Sequence, residues 1–497
     1  MVSRYGGTPD GAGRPVRRAF PHLLVLLPGL GGSALRRGDE EIWGTGAALA
    51  RAIANPDRLA LPKARLDDPE YDDGVEAYDL MAIPVPGFSR ILGPYQKLRS
   101  RLRRHFELDD ANHLEFAYDW RRPVAVNSAR LAGAVAPRLR ALRERFPAAG
   151  VILVAHSMGG LVALDYIRHD IRGDCRRVYT LGTPFRGAVK ALDTLANGPR
   201  LGPVPSERLP LGHIREALHR LPSVYELLPL YPVVTDARNG SARPAARVAE
   251  LAGAIAGLDA GRARASRDFL LELNAPHERL SDVRPVIGYG QRTAQHAVLR
   301  PGGRLEVSKA AGSGLTGEDS GGDGTVPAVS ASPAVYQEVP PVYCNQTHNG
   351  LAHGGDQVDE LIRMLGYDLS RLARRRPVLF PGRPDTPVPA PSRAEAEPDD
   401  FGPPPGERVL GLDLADAYLA VEPVTVTGRA EGFEAGDTLW FRFAAGSAPA
   451  PGDPATTVVE DDGSFTIPLG LVQPGLYTLS VAASPRGDGL LDVVHVS

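Results

Sequence analysis

From Leu23 to about residue 183, short apolar runs alternate with amphipathic helical patterns, and this rhythm constrains the fold more than any other feature. The apolar runs are LLVLLPG, HLEFAYDW, VILVAHSMGG and RRVYTLGTP, and the helical patterns include ILGPYQKLRSRLRRHF and NSARLAGAVAPRLRALRERF. Fully apolar strands separated by helices indicate a parallel sheet covered on both faces, because parallel strands need helical crossovers. The expected fold class is therefore α/β, with right-handed connections.

The length of 497 residues exceeds that of one compact domain, and the composition predicts where the chain divides. Residues 1–20 are Gly-rich and basic, which predicts a flexible tail, and residues 21–373 form the α/β domain. A stretch rich in Pro and Gly at about 187–284 breaks the rhythm, which indicates an insertion over the sheet. Residues 374–407 are dense in Pro and predict an extended linker. Alternating patterns in residues 408–497 predict a small antiparallel β-sandwich.

Charge and cysteine content exclude several classes of function. A formal net charge of -3 gives no basis for binding nucleic acid. The two cysteines, Cys175 and Cys344, are far apart and predict free thiols in a reducing compartment, so a cytoplasmic location is expected. The run HLLVLLPGL is interpreted as the first core strand rather than a signal peptide, and no stretch is long enough to span a bilayer. Any contact with a membrane is expected to be peripheral.

The strongest local motif is VILVAHSMGG, in which an apolar strand leads into Ser157 and a helical pattern follows. A serine on a sharp turn from strand to helix is held exposed and strained, and small neighbours allow the helix to cross close to the strand. The position two residues before the serine is Ala155 rather than Gly, which keeps a small side chain there. Ser157 is therefore the candidate nucleophile.

Two backbone amides are candidates for an oxyanion hole. The amide of Met158 lies at the start of the helix that follows the serine, where free N–H groups point outward. The loop PGLGGS after the first strand supplies the second candidate, the amide of Leu30, because its glycines permit a close approach of the backbone.

A serine nucleophile needs a base and an orienting carboxylate, which in hydrolases of this type follow in the order Ser, acid, His. Asp323 lies in the Gly-rich segment GGDGTVP, with Glu318 and Asp319 as rivals, and His348 follows with His353 as its competitor. His348 is favoured because it is nearer the preceding strand, whereas His353 stands beside two glycines and is interpreted as a capping or surface residue. His156 is expected to point away from Ser157, since adjacent side chains of a strand face opposite sides. There is no metal-binding or nucleotide-binding motif, so neither a metal nor a cofactor is expected.

Five segments together resemble the lecithin:cholesterol acyltransferase and lysosomal phospholipase A2 family, including its bacterial members. They are LVLLPGLGGSAL, FAYDWRR, VAHSMGGLVA, TLGTPFRGA and GDGTVP followed by a histidine, within residues 21–370. The resemblance implies an α/β-hydrolase fold, a triad of Ser157, Asp323 and His348, and oxyanion donors at Leu30 and Met158. It also implies that the insertion is a lid over an acyl-binding groove, and that Tyr118 to Arg121 hold a loop near the site.

The expected activity is a serine-dependent acyl hydrolase or O-acyltransferase that acts on lipid esters through an acyl-enzyme. An alternative is an esterase or amidase for a small polar substrate, because a triad does not determine the acyl group. A second alternative is a binding or scaffold protein that works through the β-sandwich. The sandwich is interpreted as immunoglobulin-like and as a module that binds an unknown protein or ligand.

Overall fold

The computed structural model describes fourteen stretches of the chain. They are residues 17–44, 47–66, 68–81, 94–199, 211–240, 242–309, 321–333, 341–353, 355–374, 408–413, 423–445, 454–473, 475–485 and 490–496.

The strands of the first part of the chain alternate with its helices. The strands are β1 (Arg18–Ala19), β2 (Leu23–Leu27), β3 (Ser33–Arg37), β4 (Glu40–Trp43), β5 (Val75–Leu80), β6 (Phe106–Glu107), β7 (His113–Glu115), β8 (Val151–His156), β9 (Cys175–Leu181), β10 (Val234–Asp236), β11 (Val283–Gly288), β12 (His296–Leu299), β13 (Leu305–Ser308) and β14 (Val342–Cys344). The helices are α1 (Ala47–Ala54), α2 (Pro94–His105), α3 (Val124–Arg145), α4 (Met158–His169), α5 (Val189–Asn197), α6 (Leu211–Leu218), α7 (Pro222–Tyr225), α8 (Val248–Leu251), α9 (Ala260–Leu273), α10 (Gly350–His353) and α11 (Asp356–Arg374).

A parallel sheet of six strands forms the centre of this part, in the order β14-β11-β9-β8-β2-β7. Every residue of β2 and β8 is buried, because both faces of these strands are covered. Helices α3 and α4 pack against each other and against β2, while α2 and α11 form a second packed pair. The predicted α/β class with a parallel sheet is confirmed. Ser157 follows β8, His348 follows β14, and Asp323 lies against Gly288 at the end of β11, so the three side chains meet at the carboxyl edge of the sheet.

The start of the described chain corrects the prediction of a flexible tail over residues 1–20. Residues 1–16 lie outside the described residues, but β1 pairs in parallel with β6. The side chain of Phe20 is buried and stacks edge-on against Phe106. Residues 17–20 therefore belong to the folded part of the chain, since the burial of the Phe20 side chain outweighs the local polar composition.

The predicted insertion at about 187–284 contains mostly short helices. In its described part α5 to α9 lie between β9 and β11, and the short strand β10 pairs with β12 outside the central sheet. Apolar side chains of α5, α7 and α9 join the same hydrophobic core as the central sheet, including Leu192, Val224 and Leu270. The insertion is thus packed onto the α/β core rather than separate from it.

The chain after residue 408 forms two further sheets, and residues 375–407 of the predicted linker lie outside the described residues. The strands are β15 (Val409–Asp413), β16 (Val424–Glu431), β17 (Thr438–Ala445), β18 (Ala455–Val458), β19 (Ser464–Gly470), β20 (Gly475–Ala482) and β21 (Leu490–Val496). Their orders are β15-β16-β19 and β18-β17-β20-β21, and all pairings are antiparallel. Side chains of both sheets share one hydrophobic core, which includes Val426, Phe465 and Leu479. The more specific immunoglobulin-like class stays a prediction.

No helix within the described residues is long and apolar enough to cross a membrane.

Candidate active site

Ser157 lies on a sharp turn between the end of β8 and the start of α4. Its φ is 53° and its ψ is -128°, and it is the only residue other than Gly with a positive φ in the described chain. Such a strained backbone marks a position that the surrounding structure holds in place. A Cβ atom on Gly159 would lie 2.4 Å from the carbonyl oxygen of Pro28, so only glycine lets α4 start this close to the loop after β2.

The structure brings Ser157, His348 and Asp323 into one hydrogen-bonded chain. The Nε2 atom of His348 lies 2.9 Å from the hydroxyl oxygen of Ser157, and its Nδ1 atom lies 2.6 Å from Oδ2 of Asp323. All three side chains are buried. An imidazole between a hydroxyl and a carboxylate can take the hydroxyl proton while the carboxylate fixes the ring orientation.

The loop around Asp323 holds its carboxylate from the side opposite His348. Oδ1 accepts hydrogen bonds from the amides of Thr325 at 2.9 Å and Val326 at 2.7 Å, which leaves Oδ2 for His348. The amide of His348 also donates to the carbonyl oxygen of Asp323 at 2.7 Å. Gly182, with a φ of 58°, lies against this pair, and a Cβ atom there would be 2.7 Å from Oδ2 of Asp323. The GDGTVP and LGTP motifs therefore both shape the surroundings of the Asp323 and His348 pair.

The amides of Leu30 and Met158 are placed near Ser157. Leu30 lines the same cavity as Ser157, and Met158 directly follows the serine at the start of α4. Among the described residues, neither of these two N–H groups donates a hydrogen bond. The neighbouring amide of Gly29, in contrast, donates to the hydroxyl of Tyr95 at 2.9 Å. The two amides are thus available to a ligand, as an oxyanion hole requires.

A buried network behind the site includes Tyr95, which sequence reasoning missed. The hydroxyl of Tyr95 lies 3.0 Å from Nδ1 of His156, and Nε2 of His156 lies 2.9 Å from the carbonyl oxygen of His348. Burial, with a further effect of His348, lowers the pKa of His156 to about 3, so its ring is neutral at pH 7. As expected, His156 makes no hydrogen bond to the Ser157 hydroxyl in the described structure. Tyr95 stands in an amphipathic helix, where nothing in the pattern separates it from other core aromatics.

The YDWR segment holds the Gly-rich loop after β2, as the resemblance implies. The hydroxyl of Tyr118 donates to the carbonyl oxygen of Pro28 at 2.7 Å, and the indole of Trp120 donates to that of Ser33 at 3.1 Å. Arg121 is fully buried and pairs with Asp119 at 2.7 Å and with Asp73 at 2.9 Å. Burial alone would lower the pKa of Arg121, but the two carboxylates outweigh it and raise the pKa above its ordinary value.

Of the rival candidates for the acid and the base, His353 is described by the structure, and its ring takes no part in this hydrogen-bonded chain. His353 was expected to be a capping or surface residue, but it is buried in α10, and neither ring nitrogen has a hydrogen-bond partner in the described structure. Burial, and then Lys97, lowers its pKa to about 3. Glu318 and Asp319 lie outside the described residues. Among the residues that are described, no group of three or more His, Cys, Asp or Glu side chains is placed to hold a metal ion.

A small cavity next to Ser157 is lined by described residues alone. The described residues enclose a cavity of about 40 Å³, whereas small-molecule sites usually measure roughly 300–1,000 Å³. Most of its walls are apolar, and many belong to the insertion: Ala188, Ala191, Thr194, Val224 and Leu227. Two larger clefts, of about 760 Å³ and 720 Å³, contain none of Ser157, Asp323 or His348 in their walls. The insertion therefore supplies much of the wall beside Ser157.

Comparison with known families gives one match, to the family described as lecithin:cholesterol acyltransferase, over residues 106–244. The resemblance to the lecithin:cholesterol acyltransferase family is confirmed. The part that matches this family includes the YDWR segment, Ser157 and the LGTPFRG segment, whereas Asp323 and His348 lie beyond it. No curated protein matches the chain.

Solved structures similar to this chain share little sequence with it. The Tle4–Tli4 complex contains a chain with 14% identity and a TM-score of 0.47, covering 72% of this chain and 99% of that one. The mature lipase BlEst2 of Bacillus licheniformis has 15% identity and a TM-score of 0.34, covering 72% and 96%. The phospholipase PlaB of Legionella pneumophila has 10% identity and a TM-score of 0.31, covering 95% and 90%. At these values the similarities carry no inference about the chemistry of this chain.

Proposed function

We propose that this protein is a serine-dependent acyl hydrolase or O-acyltransferase that acts on lipid esters through an acyl-enzyme. The observation that carries the proposal is the chain of hydrogen bonds from Ser157 through His348 to Asp323, built on a strained turn. The family match over residues 106–244 supports the choice of a lipid ester as substrate.

In the proposed reaction His348 accepts the proton of the Ser157 hydroxyl while the serine oxygen attacks the ester carbonyl. The amides of Leu30 and Met158 stabilise the negative charge on the carbonyl oxygen, and Asp323 stabilises the protonated imidazole. The carbon–oxygen bond to the alcohol then breaks, and His348 returns the proton to the departing oxygen. Water or a second alcohol, deprotonated by His348, attacks the acyl-enzyme and releases the acid or the new ester.

The proposal includes an α/β-hydrolase fold in which the insertion at about 187–284 is a lid. Walls that the insertion places beside Ser157 support this role, because a segment that borders the serine can open and close access to it. A moving lid also lets the protein act at a lipid surface through peripheral contact. For residues 408–497 we propose an immunoglobulin-like sandwich, which two antiparallel sheets with one shared core support.

Release of fatty acid from phosphatidylcholine vesicles tests the proposal, with and without a long-chain alcohol in the bilayer. We expect the wild-type protein to release fatty acid or form the alkyl ester, and Ser157→Ala to lose at least about 10³-fold of this activity. The matched control is Ser100→Ala, which removes an exposed hydroxyl of α2 and keeps full activity. Equal activity of wild type and Ser157→Ala contradicts the proposed mechanism, and the ratio of acid to ester separates hydrolase from acyltransferase.

The cavity of about 40 Å³ favours a second candidate, an esterase for short acyl groups. A series of p-nitrophenyl esters from acetate to palmitate distinguishes the two. A lipid enzyme gains kcat/KM as the chain lengthens, because each buried methylene contributes about 0.8 kcal/mol. A value of kcat/KM that is highest for acetate and falls with every added carbon selects the small-substrate esterase.

A further inference from the structure

The C-terminal sheets meet the first part of the chain at the side chain of Gln291. β15 is an edge strand of its sheet, with β16 as its partner on one side. On its other side, Nε2 of Gln291 donates to the carbonyl oxygen of Leu410 at 3.0 Å, and Oε1 accepts from the amide of Leu412 at 3.1 Å. In a parallel sheet, the backbone N–H and C=O of one residue in the neighbouring strand make these same two hydrogen bonds. The buried amide of Gln291 therefore completes the edge of this sheet.

The backbone of Gln291 is bound to the loop that carries Asp323. Its amide donates to the carbonyl oxygen of Gly322 at 2.9 Å, and Gln291 forms a parallel bridge with Asp323. The hydroxyl of Thr293 donates to the carbonyl oxygen of Gln291 at 2.8 Å and accepts from the amide of Gly324 at 2.9 Å. Gln291 thus lies between β15 and the carboxylate that orients His348.

Two more sets of contacts keep β15 against this loop. The backbones approach closely at Gly411, where an added Cβ atom would lie 2.8 Å from the carbonyl oxygen of Gly290. The carboxylate of Asp413 pairs with Lys309 and lies 3.6 Å from the guanidinium of Arg292. The interface therefore combines backbone complementarity with opposite charges.

The segment that carries His348 is contacted as well. The side-chain amide of Asn345, three residues before His348, has polar atoms 3.1 Å from the amide nitrogen and 3.2 Å from the carbonyl oxygen of Leu410. On the other side of His348, the short helix α10 packs against β21. The C-terminal sheets thus touch the chain next to both the acid and the base.

We propose that the C-terminal sheets position the catalytic acid and base, and that Gln291 is the positioning residue that transmits this effect to Asp323. The inference rests on the proposed function, because it concerns the geometry of the same triad. It gives the C-terminal sheets a role within the chain itself, where their sequence predicts only a module that binds an unknown partner. Loss of the Gln291 contacts lets the Asp323 loop shift, and a shift of about 1 Å at a catalytic group can lower the rate about 100-fold.

Two variants of the full-length protein test the inference from opposite sides of the interface. Gln291→Leu removes both bonds to β15 at nearly constant volume, and Gly411→Ala forces β15 away without changing the first part of the chain. We expect each variant to lower kcat on a p-nitrophenyl ester about 10- to 100-fold with KM unchanged within about twofold. The rate of labelling of Ser157 by a serine-reactive phosphonate is expected to fall in parallel.

The matched control is Gln473→Leu, the same exchange at an exposed position of the C-terminal sheets, which is expected to keep wild-type kcat. Circular dichroism and the thermal unfolding midpoint establish that each variant is folded. If Gln291→Leu does not fold, Gly411→Ala decides alone. Wild-type kcat and labelling rate in both folded variants overturn the inference, whereas a wild-type protein that the phosphonate does not label overturns the proposed function instead.

Discussion

At the scale of single residues, the hydroxyl of Tyr95 has one arrangement of protons that satisfies all of its neighbours. The carbonyl oxygen of His348 can only accept, so Nε2 of His156 carries the proton and Nδ1 is left as an acceptor. Tyr95 then donates to Nδ1 of His156 and accepts from the amide of Gly29. The network ties the loop that carries Leu30 to the backbone of His348.

We predict that Tyr95→Phe lowers both kcat and stability. The change leaves the amide of Gly29 and Nδ1 of His156 buried without a partner, which costs about 1–3 kcal/mol each. The loop with the Leu30 amide loses one anchor, and we expect kcat to fall about 10-fold at unchanged KM. Steady-state kinetics and thermal unfolding measure the two effects.

The control for this prediction is Tyr367→Phe, which removes the hydroxyl of an exposed tyrosine in α11. It is expected to match the wild type in both measurements. A Tyr95→Phe protein with wild-type kcat would show that the network stabilises the fold but does not position the loop that carries Leu30.

The sequence was sufficient to predict Ser157, Asp323 and His348 as a group, because Ser157 and Asp323 lie in motifs with a geometric requirement and His348 follows them in the order Ser, acid, His. The two motifs encode the strained backbone of Ser157 and the two backbone amides that donate to the carboxylate of Asp323. Tyr95 and Gln291 could not be predicted, since their partners are distant in sequence and no local pattern marks them. His353 was interpreted as a capping or surface residue because of its glycine neighbours, but tertiary packing buries it.

At the scale of elements, Glu226 links the end of α7 in the insertion to the start of α3. Its carboxylate accepts from the amide of Val124 at 2.8 Å and is partly buried. Burial raises its pKa from 4.5 to about 8, a rise that the Val124 bond opposes and the charge of Asp165 increases. The side chain is therefore mostly protonated at pH 7 in the folded protein and ionised in the unfolded chain.

We predict that stability decreases between about pH 4.5 and pH 8 because of this group. In that window the folded state holds a proton that the unfolded state has released, so raising the pH favours unfolding. The contribution is on the order of 3–5 kcal/mol across the window. Glu226→Gln removes this contribution, because the glutamine does not ionise. The thermal unfolding midpoint of the variant is therefore expected to exceed that of the wild type by a margin that grows from pH 5 to pH 9. Parallel pH profiles of the two proteins would contradict the shifted pKa.

Elements with a long regular pattern were predicted well, and elements with a broken pattern were not. The helices α2 and α3 and the strands β2, β8 and β9 follow the predicted rhythm closely. β15 was not predicted, because Gly411 interrupts a short apolar run and glycine disfavours an isolated strand. The structure uses this glycine for the close approach of β15 to Gly290, a requirement that only the tertiary structure reveals.

At the scale of the whole molecule, the α/β part and the C-terminal sheets are joined by contacts that composition does not indicate. The Pro-rich linker predicted two separate units, whereas the buried amide of Gln291 and the charges on Asp413 connect them. An interface this close to Asp323 makes the activity of the first part depend on the second.

The central claim is that Ser157 is a nucleophile activated by His348 and Asp323. Reaction of the purified protein with an alkyl phosphonate ester, followed by peptide mass mapping, tests this claim most directly. The account predicts a single phosphonyl adduct on the peptide that contains Ser157, no adduct in Ser157→Ala, and labelling of His348→Gln that is slower by at least about 10³-fold. An unlabelled wild-type protein, or an adduct on a different residue, contradicts the account.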